Sequence, residues 1–92
     1  MISHEGSGHR GAFAWHEGGK RLAAMTYTVA GSRVIIDHTE MDEALRGSGV
    51  GKKLVHAAVE WARAENVRLL PLCPFAKSVF DKTPEYGDVL AK

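Results

Sequence analysis

Arg46-Gly47-Ser48-Gly49-Val50-Gly51-Lys52-Lys53 marks the point where the chain changes its period. Before it, side chains alternate at every second position. After it, apolar residues return at Val50, Leu54, Ala57, Ala58, Trp61 and Ala62, the spacing of one helical face. The stretch therefore reads as a loop leading a strand into a helix. Three glycines fall within five residues, and two lysines sit in the first helical turn. The first acid on the helix is Glu60, well beyond them. Acids normally collect at the amino end of a helix, where the partial charge is positive. Lysines there raise the potential further, which suits a polyanion cradled by backbone N–H groups that glycine leaves open. The loop advertises a phosphate or pyrophosphate site. It lacks the Gly-Lys-Ser/Thr ending of a Walker loop and the glycine spacing of the dinucleotide fingerprint.

Upstream, Arg10–His16, Arg21–Val29 and Arg33–Met41 read as three strands of an antiparallel meander. Glu17-Gly18-Gly19-Lys20 supplies a hairpin turn between the first two, and Ala30-Gly31-Ser32 a second turn. Strict alternation on the third strand puts Val34, Ile36, His38 and Glu40 on one face, and Ile35, Asp37, Thr39 and Met41 on the other. Downstream, Asn66 is a helix stop. Val67–Leu72 is a nearly all-apolar strand, expected at the centre of the sheet, with Pro71 at its end or at a bulge. Pro74 opens a short helix, PFAKSVFDK, and Pro84 closes it. The segment from the third strand to Leu72 is a β-α-β unit, whose crossover is right-handed. The expected class is α/β (α+β): a meander, a β-α-β core and a short C-terminal helix.

A chain of 92 residues carries one domain. Residues 1–9 are polar and glycine-bearing and read as a flexible end; residues 10–92 read as the domain. A net charge of +1 gives no reason to expect nucleic acid or an anionic membrane as partner. No run of 18 apolar residues exists, and the first residues lack the apolar core of a signal peptide. Cys73 is the single cysteine, which excludes an internal disulfide and a cysteine-rich metal site. Together these point to a cytoplasmic protein with no metal; monomer and homodimer both stay open. His4, His9, His16 and His56 show no metal spacing and read as surface residues; Trp61 reads as core and Trp15 as a sheet aromatic.

Arg46-x-x-Gly49-x-Gly51 resembles the Arg/Gln-x-x-Gly-x-Gly/Ala signature of the GCN5-related N-acetyltransferases. The segments DHTEM, LRGSGVGKKL, PLCPFAKSVF and TPEY are similar to short, single-domain proteins of that superfamily. The resemblance spans about residues 13–90 and implies a minimal acetyltransferase fold with acetyl-coenzyme A as cofactor. It implies that Arg46, Gly47, Ser48, Gly49, Val50, Gly51 and Lys52 hold the pyrophosphate, and that the backbone from Thr39 to Met41 pairs with the pantetheine arm. It implies transfer of an acetyl group to an amine, carried by a protein or a small molecule.

Two departures bear on the chemistry. Cys73 stands where such proteins have an asparagine, and Phe80 where they have a tyrosine that protonates the leaving thiolate. The helices that usually follow the first strand and help form the acceptor site are replaced by a hairpin turn. Cys73 is open to three readings: a small buried hydrophobe, a nucleophile that takes the acetyl group, or a proton donor to the departing sulfur. His38, Glu40 and Asp37 are the candidate bases for an amine that is protonated at neutral pH. At most one strand face among them looks at the acyl group. The alternative to an enzyme is a module that binds coenzyme A or an acyl-coenzyme A without turnover.

Overall fold

The computed structural model describes residues 1–91, which build one five-stranded sheet with two helices on one face. The strands are β1 (Ile2–Ser7), β2 (Arg10–Glu17), β3 (Lys20–Ala30), β4 (Arg33–Met41) and β5 (Arg68–Pro71). They lie side by side in sequence order, antiparallel from β1 to β4, with β5 parallel to β4. The helices are α1 (Val50–Glu65) and α2 (Pro74–Lys82). Short 3-10 turns occupy Glu43–Leu45 and Pro84–Val89.

The meander forms where the turn chemistry demands it. Gly18 and Gly19 both take positive φ, 56° and 78°, which a tight two-residue hairpin requires. Phe13, Met25, Tyr27, Val34 and Ile36 then share the sheet face that meets α1. From α1 come Val50, Leu54, Val55, Ala58, Val59 and Ala62, all buried. The buried stripe is turned slightly from the expected one. Val55 and Val59 lie inside, whereas Ala57 and Trp61 are only half-buried at its edge. Asn66 ends α1 in the left-handed region, φ 57°. Its backbone N–H returns to the Ala62 carbonyl.

Two expectations are corrected. Residues 2–7, expected within a flexible end, form β1 and pair with β2 from Ile2↔Trp15 to Ser7↔Arg10. The reason lies in contacts remote in sequence. His4 stacks on Phe13 with ring centroids 4.2 Å apart, meets the edge of Trp61, and shares a hydrogen bond with the Tyr27 hydroxyl at 2.5 Å. On the other face, Arg21 donates to Glu5 at 2.9 Å. His4 is thus tied into the aromatic cluster, although it remains largely exposed. Burial lowers its pKa, opposed by the charge of Glu65.

The second correction concerns β5, which is an edge strand rather than a central one. Pro74 turns the chain directly into α2, so no strand is laid beyond it. Its outer side is covered instead by the tail. Leu90 bridges to Leu69, and the Ala91 N–H donates to the Leu69 carbonyl at 2.8 Å. That cover explains an apolar edge strand, since a bare one invites pairing with other chains.

Gly11 tests the docking of β1. A Cβ there meets the Tyr27 hydroxyl and lies 2.6 Å from the Glu5 carbonyl oxygen, a backbone atom that cannot swing away. Gly11→Ala is expected to destabilise the fold by about 1–3 kcal/mol, read by urea unfolding. An unchanged midpoint would mean that β1 does not lie where described.

Candidate functional site

One irregularity in β4 shapes the site. Tyr27 faces Ile36 and Thr26 faces His38, so Asp37 has no partner across β3. It is the extra residue of a β-bulge. Its carboxylate accepts a hydrogen bond from the Thr28 hydroxyl at 2.9 Å. A one-residue insertion exchanges the two faces for everything after it. Val34 and Ile36 meet the helices before the bulge, and Thr39 and Met41 do so after it. His38 and Glu40, expected on the face of Val34 and Ile36, turn instead to the opposite face.

β4 also loses its second neighbour at this point. The β4–β5 pairing runs from Arg33↔Arg68 to Ile36↔Pro71 and stops. The Ile36 carbonyl then accepts from both the Leu72 and Cys73 N–H groups, at 3.1 and 3.2 Å, as the chain leaves for α2. From His38 to Met41, β4 pairs with β3 alone. The parting strands make a cleft with extended backbone on one wall and the amino end of α2 on the other. Leu72 and Phe75, apolar yet 62% and 37% exposed, stand beside it.

Cys73 lies at the root of the cleft. It is the residue before α2, with Pro74 at the first helical position, where a missing N–H costs nothing. The side chain is buried, and the thiol donates to the Thr39 hydroxyl oxygen at 3.3 Å. Burial pushes the Cys73 pKa up. The Thr39 hydroxyl, which donates in turn once the sulfur ionises, and the N–H groups of Ala76, Phe75 and Thr39 outweigh it, so the thiol sits below its ordinary value. The sequence-expected trio is therefore not assembled. Cys73 meets Thr39, while His38 and Glu40 are exposed on the other side of β4. Glu40 borders a separate hollow of about 270 Å³ with Arg21, Ala24 and Asp42. Phe80, at the expected tyrosine position, is buried in the core.

The glycine loop closes the far end of the cleft. Asp42 caps the Glu43–Leu45 turn by accepting from the Ala44 N–H at 2.9 Å. Gly47 and Gly49 follow with φ of 78° and 85°, and a Cβ on either meets nothing within 4 Å. Gly49 is the residue before α1, and no side chain caps that helix. Val50 N–H has only a long contact to the Ser48 hydroxyl, 3.4 Å, so the donors of the first turn are left for a ligand. A cavity of about 240 Å³ lies there, bounded by Met41, Leu45, Gly47, Gly49, Gly51, Lys52 and Phe75. Arg46 is exposed beside it.

Two loop residues have other duties. Gly51 is buried, and a Cβ on it lies 2.5 Å from the Phe75 ring. That glycine lets α2 approach α1. Lys53 turns away, its ammonium 5.2 Å from the centroid of Trp15. Of the two lysines only Lys52 borders the cavity. These residues fit an extended thioester ligand with a diphosphate: open donors, a two-glycine cradle, an apolar-flanked cleft and a thiol at its root.

The Cys73–Thr39 contact is checked by titrating the Cys73 Cβ chemical shift. Its midpoint is expected below the value of an unperturbed cysteine titrated under the same conditions, and Thr39→Val is expected to move it up. A wild-type midpoint at or above that value would contradict the geometry.

Comparison with known proteins places this arrangement among described ones. The profile of a family described as GCN5-related N-acetyl-transferase matches residues 12–89. Protein NATD1 of Bos taurus is 30% identical over 63 residues, covering 67% of this chain and 56% of that protein. The chain thus spans little more than half the length of this relative. The solution structure of a GCN5-like putative N-acetyltransferase from Staphylococcus aureus superposes with a TM-score of 0.71 at 34% identity, over 97% of this chain and 87% of that one. An IAA acetyltransferase from Bacillus cereus shares the fold at 21% identity, with a TM-score of 0.65, over 80% of this chain and 53% of that one.

Proposed function

Because this chain belongs to the GCN5-related N-acetyltransferase family, we propose that it binds acetyl-coenzyme A in the β4–β5 cleft and transfers the acetyl group to an amine. The observation that carries this reading is the placement of Cys73 where β4 and β5 part, with the uncapped amino end of α1 at the other end of the cleft. Bound there, acetyl-coenzyme A supplies an activated acyl group on sulfur.

The residues divide the work. Gly47 and Gly49–Lys52 offer backbone N–H donors to the pyrophosphate, the Ser48 N–H being held by the Leu45 carbonyl, with Arg46 and Lys52 as counter-charges. The free edge of β4 from Thr39 to Met41 offers backbone groups to the pantetheine arm. Cys73, lowered in pKa by Thr39 and by the amino end of α2, attacks as thiolate. It forms a new thioester on Sγ, while the displaced coenzyme A sulfur takes up a proton. The acceptor amine then takes the acetyl group from Sγ and gives up its own proton, restoring the thiol. His38 and Glu40 stand on the opposite face of β4, so that proton passes to the Cys73 sulfur directly or through water, without them. The acceptor is a protein amine or a small amine, and the reading takes the protein as cytoplasmic, where Cys73 stays reduced.

A second reading has specific support: a module that binds coenzyme A without turnover. Phe80 is buried and has no proton to give, and among the described residues no helix covers the sheet face that carries His38 and Glu40.

Mass spectrometry after incubation with acetyl-coenzyme A separates the two. An acetyl adduct is expected on Cys73 and lost in Cys73→Ala. No adduct, no hydrolysis and no product across a panel of amines would favour the module. Binding itself is tested by Gly49→Val, which is expected to abolish the calorimetric signal for coenzyme A. Gly51→Val is the poorer test, because it also displaces Phe75. Unimpaired binding by Gly49→Val would move the site elsewhere.

A further inference from the structure

The sheet treats its two edges differently. The outer side of β5 is covered by Leu90 and Ala91. The outer side of β1 has no cover among the described residues, where β1 pairs with β2 alone. The usual guards of a bare edge are missing too. Ile2–Ser7 holds no lysine and no proline, and its pairing with β2 runs without a bulge. Its one carboxylate, Glu5, is already engaged by Arg21.

The backbone groups that face outward can be named. Met1 and His16 exchange both of their backbone hydrogen bonds, at 2.8 and 3.1 Å. Such pairs recur at every second residue of an antiparallel ladder. Ser3, Glu5 and Ser7 therefore turn their backbone inward to β2, and Ile2, His4 and Gly6 turn theirs outward. The side chains alternate as well. Ile2 and His4 lie on the helix face, against the core and Phe13. Ser3 and Glu5 meet His16 and Arg21 on the open face.

We infer that this edge takes β1 of a second copy of the chain, antiparallel about a two-fold axis at His4, joining two five-stranded sheets into one. Strand addition needs outward groups to meet outward groups, and a two-fold interface must match itself. Few registers satisfy both. An axis at Glu5 sets two Glu5 carboxylates directly opposite each other, which is destabilising. Axes at Ser3 or Gly6 overlap less of the strand. The axis at His4 sets Ile2 opposite Gly6 of the second copy, so a branched side chain covers a residue that has none. It sets the Ser3 hydroxyl beside the Glu5 carboxylate of the second copy. It also brings Met1, 82% exposed, to Ser7 of the second copy. There a hollow of about 310 Å³ opens between Glu5, Ser7, Arg10 and Ala12. His4 meets its counterpart at the axis with its ring drawn back onto Phe13. The inference is independent of the coenzyme A reading, because β1 lies across the sheet from the β4–β5 cleft.

Sedimentation equilibrium of the whole chain at neutral pH, from micromolar to millimolar concentration, tests this. A strand edge is a small interface, so the association is expected to be weak, with dimer appearing only toward the upper end. Gly6→Lys puts an ammonium group opposite Ile2 and is expected to weaken the dimer about tenfold or more. A Cβ on Gly6 meets the Tyr27 hydroxyl at 3.6 Å, an ordinary contact, so the urea midpoint of the monomer is expected to hold. Ser32→Lys adds the same charge at the exposed β3–β4 turn and is expected to leave the dimer unchanged. The register is read separately by cross-linking in a Cys73→Ala background. Ser3 and Glu5 of the second copy stand about 4.5 Å apart at Cα in such a ladder, within disulfide reach. A mixture of Ser3→Cys and Glu5→Cys chains is expected to oxidise to a dimer faster than either alone. A monomer throughout overturns the inference and leaves the edge to an extended segment of another protein. A dimer that Gly6→Lys leaves intact, or that both lysine variants weaken alike, overturns it as well. So does a disulfide that forms as fast in either variant alone, since the axis would not lie at His4.

Discussion

A single unpaired residue, Asp37, sets the geometry on which the site depends. It interrupts the β3–β4 ladder just where β4 loses β5. Had Asp37 paired in an unbroken ladder, Thr39 would face away from the helices, and His38 and Glu40 would share the face of Ile36. With it, the strand carries its apolar set to α1 up to Ile36 and then delivers Thr39 to Cys73 and Met41 to Gly51. The Asp37–Thr28 hydrogen bond gives the extra residue a fixed place. The cleft is what remains when one wall of backbone continues and the other turns into a helix. Unpaired backbone of this kind is normally a liability, and a ligand that supplies hydrogen bonds resolves it.

The three loop glycines divide into two physical classes. Gly47 and Gly49 take left-handed φ and border open space, so any side chain there is strained and sits in the cavity. Gly51 has ordinary φ and no open space at all. Its missing Cβ lets Phe75 close on α1, and Phe75 in turn borders both the loop cavity and a second hollow beside Lys82. The helix-starting lysines divide likewise. Lys52 serves the cavity, and Lys53 anchors α1 to β2 through Trp15.

Much of this was legible in the residues. The change of period at Val50, the glycine spacing, the Asn66 stop and the Pro74 start are local signals, and each element formed where its signal stands. What was not legible depended on partners distant in the chain. The string Val34 to Met41 fits unbroken alternation equally well, because a bulge is a relation between two strands and leaves no mark in one. The stretch Ile2–Ser7 has the composition of a loose end, and what holds it as a strand is remote in sequence: the ring contacts of His4 with Phe13, Tyr27 and Trp61 and the Glu5–Arg21 pair. The apolar run Leu69–Leu70 suggested a central strand because burial under a tail looks the same as burial between strands. Cys73 was visible as a departure, but its Thr39 neighbour was hidden behind the bulge.

The account stands or falls on the position of the acyl group relative to β4. The direct measurement is a crystal structure with acetyl-coenzyme A, or with a non-hydrolysable analogue, read at the thioester carbonyl carbon. The account requires that carbon within attacking distance of Cys73 Sγ, about 3–3.5 Å, with the diphosphate on the backbone N–H groups of Gly47 and Gly49–Lys52. A carbonyl carbon lying on the His38 and Glu40 face, with Cys73 still closed against Thr39, would contradict it.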